Sequence, residues 1–304
     1  MRIVVGVSPD ESGEDAVALG AVLSRLLDAH TTLAYVHPPT IDYPSIGHVD
    51  AEWRAFLEER ADSTLGAAAA SLALEWDITD TDQVVLGAAS VGHGLRTIAE
   101  EAEASIVVLG PGSRAVDGHI AMGPIAHSLL HGGPSAVALA PEGYRETAPE
   151  RLARLVVGFQ DTPEAAVAVS AAVQAARTRS LPVHLLTVVI RATRIVGSRL
   201  GRDPERLVME TLVEHEQEAQ RQFMARTDYP LRGTVVQGDT AERAMSRFDW
   251  EETDLFVVAS SRLGAVRRVF LGDLSHKLIR ASAVPAIVLP REVENAEIAE
   301  ALSR

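Results

Sequence analysis

A chain of 304 residues has room for two domains, and its formal charge of −14 comes without any run of Lys and Arg able to neutralise a row of phosphates, which excludes nucleic acid and anionic membrane surfaces as partners. The absence of cysteine excludes disulfides, thiolate metal sites and thiol chemistry, and the 4% aromatic content implies cores of Val, Leu, Ile and Ala. Met1-Arg2-Ile3-Val4-Val5-Gly6 enters a strand-like run with no charged leader or cleavage site, and no apolar run reaches about 18 residues, so a cytoplasmic protein is expected.

The opening run, Arg2-Ile3-Val4-Val5-Gly6-Val7, recurs as Arg154-Leu155-Val156-Val157-Gly158-Phe159, and a recurrence of this kind marks an internal repeat. Each copy continues with a polar turn and an Ala/Val-rich segment, Ser12–Ala29 and Thr162–Arg179, with apolar residues at helical spacing and acids near the positive end of the helix dipole. Second strands are expected at Thr31–Val36 and Val183–Val188. Long helices follow at Val49–Leu74 and Pro204–Arg226, with Asp50 and Asp203 as caps. Third strands fall at Gln83–Gly87 and Thr234–Gly238, then helices at Gly94–Glu103 and Thr240–Glu251. Fourth strands fall at Ser105–Leu109 and Asp254–Val258. The last helices, Pro124–His131 and Asp273–Ala281, lead to fifth strands at Ala136–Leu139 and Ala286–Leu289.

Continuous apolar strands alternating with helices imply an α/β fold in which each copy is a five-stranded parallel sheet with helices on both faces. The domains expected are 1–143 and 151–290, followed by an acidic, Ala-rich tail, 291–304, that is frayed or disordered. Pro, Gly and charges across residues 140–149 read as a linker.

In an open parallel sheet, ligands bind beyond the carboxyl ends of the strands where the strand order reverses, so the segment after strand four is informative. The first copy has Gly110-Pro111-Gly112-Ser113, nine residues, then Gly123-Pro124; the second has Ala259-Ser260-Ser261-Arg262, nine residues, then Gly272-Asp273. This pattern, present in both copies, resembles the universal stress protein family, whose nucleotide-binding members carry Gly, two residues, Gly, nine residues, Gly, then Ser or Thr. The chain looks like a two-copy member of actinobacterial type with degenerate ATP-binding motifs. The resemblance implies two tandem Rossmann-like domains of the adenine nucleotide alpha hydrolase-like kind.

It also implies that backbone N–H groups of the Gly-rich loop and the next helix hold phosphates. ATP, with magnesium accompanying it, would then sit in the first copy near Gly110, Gly112, Ser113, Arg114 and Gly123. Val36 would lie near the base and Ser8 and Asp10 near the nucleoside. The corresponding set in the second copy is Ser260, Ser261, Arg262 and Gly272. The pattern is eroded: the Asp after strand one is Ser8 or Gln160, the first Gly becomes Ala259, the second becomes Ser113 or Arg262, and the final Ser/Thr is Pro124 or Asp273. Pro124 removes a donor, while Asp273 places a carboxylate where a phosphate would sit; Arg262, Arg267 and Arg268 oppose that charge. The function expected is a stress-response regulatory module with weak adenine-nucleotide binding in the first copy and no turnover chemistry; the alternative is a nucleotide-free interaction scaffold. Because the family pairs domains through the fifth strand, a pseudo-dimer within the chain and a homodimer through edge strands are expected.

Competing readings exist for each motif. The Gly-rich segment is either a phosphate cradle or a strand-to-helix turn that needs glycine for geometry. His127 and His131 have metal-compatible spacing, but a helix C-terminus explains them without a metal. Asp10 with Asp15, and Asp161 with Glu164, read as helix-start acids before they read as a catalytic or magnesium pair. Gly197–Gly201 follows no good strand and is a weak loop signal, and no serine nucleophile has an elbow context. Trp53, Trp76 and Trp250 are expected to pack at core edges.

Overall fold

The computed structural model describes residues 1–39, 49–113, 118–130, 133–190, 202–259 and 273–290. The chain divides into two compact units, Met1–Arg151 and Leu152–Ser303.

Unit 1 runs β1 (Arg2–Gly6), α1 (Glu11–Leu27), β2 (His30–His37), α2 (Val49–Trp76), β3 (Thr81–Gly87), α3 (Val91–Glu101), β4 (Ile106–Leu109), α4 (Pro124–Leu130), β5 (Ala136–Leu139) and α5 (Tyr144–Thr147). Its strands lie in the order β3-β2-β1-β4-β5, every adjacent pair parallel. Ile3, Val4 and Val5 are fully buried because β1 is central, and each faces a residue of β2 and one of β4. Right-handed crossovers to β2 and β3 put α1 and α2 on one face; the reversal to β4 puts α3 and α4 on the other. The packing of α1 on α2 and of α3 on α4 agrees.

Unit 2 repeats the plan with β6 (Arg154–Gly158), α6 (Pro163–Arg179), β7 (Val183–Ile190), α7 (Arg202–Arg226), β8 (Leu231–Gly238), α8 (Ala241–Met245), β9 (Asp254–Ala259), α9 (Asp273–Arg280) and β10 (Ala286–Leu289). Its order is β8-β7-β6-β9-β10, again parallel throughout, so the α/β expectation of two five-stranded parallel sheets holds.

The repeat extends to the helix ends, where local side chains satisfy orphan backbone groups. Asp10 caps α1 and Thr162 caps α6, each through its side-chain oxygen to the N–H three residues on. Ser90 and Thr240 do the same for α3 and α8. Both α1 and α6 end on a non-glycine residue in the left-handed region, Asp28 at φ 50° and Ser180 at φ 54°.

Several expectations are corrected. Asp50 and Asp203 fall inside the first turns of α2 and α7, not at their caps, because the helices begin at Val49 and Arg202. The helix expected over Thr240–Glu251 stops at Met245: residues 246–253 turn instead, and Arg247 donates to the carbonyl of Gln237. Residues 140–149 are not a free linker, since they contain α5 and bury Tyr144 against unit 1. Trp76 is buried and Trp250 packs edge-on against Phe248 and Phe256, but Trp53 is 49% exposed and stacks on Phe56, which is also exposed. Gly197–Gly201 and the tail 291–304 lie outside the described residues.

Candidate functional site

The strand order of unit 1 reverses between β1 and β4, so the loops leaving these two strands flank the switch point. After β1 the chain turns sharply into α1. The Ser8 hydroxyl donates to Asp10 Oδ1 at 2.6 Å, and the same oxygen accepts the Gly13 N–H at 3.3 Å. Asp10 is therefore a helix cap, with its carboxylate held by neighbours. Gly13 has no alternative here, because a Cβ would lie 1.9 Å from the Ser8 carbonyl oxygen.

After β4, Gly110 passes directly under the start of α1: a Cβ on it would sit 1.8 Å from the Ser12 carbonyl oxygen. The Ser12 hydroxyl donates to the Pro111 carbonyl at 3.1 Å, which pins the two loops together. Gly112 donates its N–H to the Ala121 carbonyl at 2.9 Å, closing the loop on itself. Farther along, Gly118 donates to the Glu142 carbonyl and Glu142 to that of His119, so the loop is also tied to the chain after β5. Gly123 differs from Gly110. Among the described residues a Cβ there would meet only Gly112 Cα, at 3.5 Å, which is ordinary contact. Pro124 then opens α4 with no N–H to offer.

A triphosphate needs converging N–H donors, and these residues present few. The Gly112 donor is engaged within the loop, and Pro124 has none. Ser113 is exposed and a Cβ on Gly123 would make ordinary contact only, so the described residues offer an anion a partial set of donors. The described residues fit the triphosphate of ATP poorly.

Of the expected site residues, Ser8 and Asp10 meet each other, and Gly110, Gly112 and Gly123 form one loop against α1. Val36, at the end of β2, faces α3, where a Cβ on Gly94 would lie 2.7 Å from a Val36 methyl group. Arg114 lies outside the described residues, as do Ser260, Ser261, Arg262, Arg267, Arg268 and Gly272 of the second copy. His127 sits in the last turn of α4 while His131 lies outside the described residues. Among the described residues, no group of three or more His, Cys, Asp or Glu converges as a metal site.

The sequence reading takes Asp15 for a helix-start acid beside Asp10; the structure buries it instead. It is 2% exposed, and its two carboxylate oxygens accept the N–H groups of Gly143 at 3.0 Å and Arg145 at 2.9 Å. Burial pushes its pKa above the usual carboxylate value, while the two backbone donors work in the opposite direction. The Arg145 side chain reaches back to Glu14 and Glu11 on α1. The sequence signal is an acid on the face of α1 that carries its apolar residues.

Comparison with known proteins decides the family. The sequence model of the universal stress protein family matches residues 1–141 and again 152–290. The chain belongs to the universal stress protein family. Universal stress proteins of Mycobacterium tuberculosis and Mycobacterium bovis are each 30% identical over 297 residues, covering 95% of this chain and 100% of theirs. Among solved structures, a universal stress protein from Archaeoglobus fulgidus matches with a TM-score of 0.62 at 15% identity, covering 95% of this chain and 98% of that one. A Pseudomonas aeruginosa universal stress protein candidate matches with a TM-score of 0.58 at 14% identity, covering 100% and 98% respectively. These structures share the Rossmann-like fold with this universal stress protein. No helix among its described residues is long and apolar enough to cross a membrane.

Proposed function

We propose that this tandem universal stress protein is a stress-response regulatory module without turnover chemistry, and that unit 1 binds adenine nucleotide only weakly. The observation that supports weak binding is the loop after β4, where the Gly112 N–H is engaged by Ala121 and Pro124 supplies no donor. Gly123, with room beside it, is the residue through which an anion would approach.

The test is calorimetric titration of the full chain with ATP and magnesium. The expected result is a dissociation constant in the range of about 0.1–1 mM, abolished by Gly123→Val with the fold intact by circular dichroism. Nanomolar affinity would overturn the weak-binding reading. A complete lack of binding favours the second reading, an interaction scaffold, which the internally closed hydrogen bonding of the loop also supports. Phosphate release that survives Gly123→Val would place any turnover outside this loop.

A further inference from the structure

A cleft of about 460 Å3 lies between α1 and α2 of unit 1, on the face of the sheet those two helices cover. Its floor includes Val7 and Val17. Its α2 wall carries the small side chains Ser63, Thr64, Ala67, Ala68 and Ser71, which leave the space beside α1 unfilled.

The second unit supplies an internal comparison. In each unit the long helix ends five residues before the strand that follows it, so these positions correspond to Val213, Glu214, Gln217, Glu218 and Arg221 on α7. Every one of them is larger. Val7 corresponds to Phe159, which is buried with its ring against Phe223 at 5.0 Å. At the floor of the cleft unit 1 has Val7 where unit 2 buries the Phe159 ring, whereas Glu214, Gln217, Glu218 and Arg221 are exposed on α7.

Its chemistry is defined by its ends. Both α1 and α2 are crossover helices running opposite to the strands, so they run alongside each other in one direction. Asp10 and Glu14 sit at the start of α1, and Glu75 sits in the last turn of α2. The α2 wall from Ser63 to Trp76 spans about 20 Å of helix. Arg145 is the cation in the lining, and it already pairs with Glu14 and with Glu11 outside the cleft. Arg25 lies over the Trp76 ring, outside the lining. Three carboxylates against one engaged guanidinium repel phosphate and attract cations. We propose that this cleft binds a linear aliphatic di- or polyamine, with ammonium groups received by Asp10 and Glu14 at one end and Glu75 at the other. Its methylene chain lies along Val17, Ala67 and Ala68, and the hydroxyls of Ser63 and Ser71 accept from ammonium groups between the ends.

The test is calorimetric titration of the full chain with spermidine at low ionic strength, beside the uncharged hexane-1,6-diol. The expected result is one spermidine per chain, weakened by added salt, and no binding of the diol. Glu75→Gln lowers the affinity about fivefold, whereas Glu218→Gln, which removes the same charge from an exposed position on α7, leaves it unchanged. Ala67→Leu fills the cleft and abolishes binding; because Glu75→Gln changes an exposed side chain, the proposal stays testable even if the filled variant fails to fold. Three results would overturn it: no spermidine binding, equal loss with Glu75→Gln and Glu218→Gln, or binding of the diol as strong as that of spermidine.

Discussion

The Asp15 carboxylate accepts the backbone N–H of Arg145 at 2.9 Å, joining the first helix of unit 1 to the short helix after its fifth strand. The interaction spans most of the unit in sequence. It explains why the apparent linker is folded: the first N–H groups of α5 find their acceptor on α1, and Tyr144 is buried beside it.

Asp15→Ala is expected to cost about 2–3 kcal/mol by leaving two N–H groups without their acceptor, measured by urea denaturation. The pH dependence has a definite sign. Because the folded pKa is raised above 3.8, the folded state binds the extra proton, so this group's contribution is most favourable below 3.8 and is lost as pH rises through the folded value. Asp15→Asn does not titrate, so the stability of the native chain relative to this variant should rise as the solution is acidified from neutrality toward that value. A difference independent of pH would remove burial as the cause.

Gly110 and Gly123 belong to one motif but should respond differently to the same change. Gly110→Ala drives a Cβ to within 1.8 Å of the Ser12 carbonyl oxygen and is expected to destabilise by about 2–3 kcal/mol. Gly123→Ala, with ordinary contact only, should change stability by less than about 1 kcal/mol. Thermal and chemical denaturation of the two variants side by side checks the contrast.

In unit 2, the fully buried Asp254 holds the Arg154 guanidinium through two hydrogen bonds, at 2.8 and 2.5 Å, and accepts the Glu251 N–H. Arg154 also lies over the Phe248 ring and donates to the Asp249 carbonyl. Asp254→Ala removes the hydrogen-bonded counter-charge of a largely buried cation, leaving Glu251 at 3.8 Å, and is expected to cost about 3–5 kcal/mol. Replacement of both partners by apolar residues should cost less than Asp254→Ala alone, which a double-mutant cycle measures.

His184 makes the same region acid-sensitive. Its Nε2 lies 2.8 Å from the Thr234 hydroxyl, its Nδ1 is buried without a hydrogen-bond partner, and its ring meets Phe248 edge-on. Burial, then Arg154 and Arg232, push its pKa below 6.5, with Asp254 opposing them weakly. The unfolded chain therefore binds the proton first, so stability is full above 6.5 and declines as pH falls toward the folded value. His184→Gln should flatten the stability profile between about pH 7 and 5, measured by urea midpoints.

Asp28 and Ser180 occupy equivalent left-handed caps at φ 50° and 54°, where a side chain is strained. Asp28→Gly and Ser180→Gly are each expected to stabilise by up to about 1 kcal/mol, and the two gains should add because the sites lie in separate units. Midpoints of chemical denaturation for the single and double variants check this.

Much of the fold was legible locally. Apolar runs such as Ile106–Leu109 and Ala136–Leu139 are too continuous for amphipathic helices and are buried in the sheet as expected. Errors arose where a local signal had competing outcomes. Asp50 resembles a cap but lies within the first turn of α2; Trp53 resembles a core residue but lies on a stretch of α2 with most of its side chains exposed to solvent. Gly110, Gly112 and Gly123 share the loop after β4, yet their role was not readable, because spacing does not show whether a glycine accommodates a ligand or a neighbouring backbone.

The sequence by itself determined that one α/β layer occurs twice, because the strand and helix periods and the capping residues are local and repeat at matching intervals. Only the tertiary structure decided that Gly110 accommodates the Ser12 backbone, that Asp15 takes its donors from Gly143 and Arg145, and that α1 and α2 part around a cleft in unit 1. Each of these depends on which distant segments the sheet order brings side by side, and contact between such segments is set by packing across the layer, which no short stretch of chain encodes.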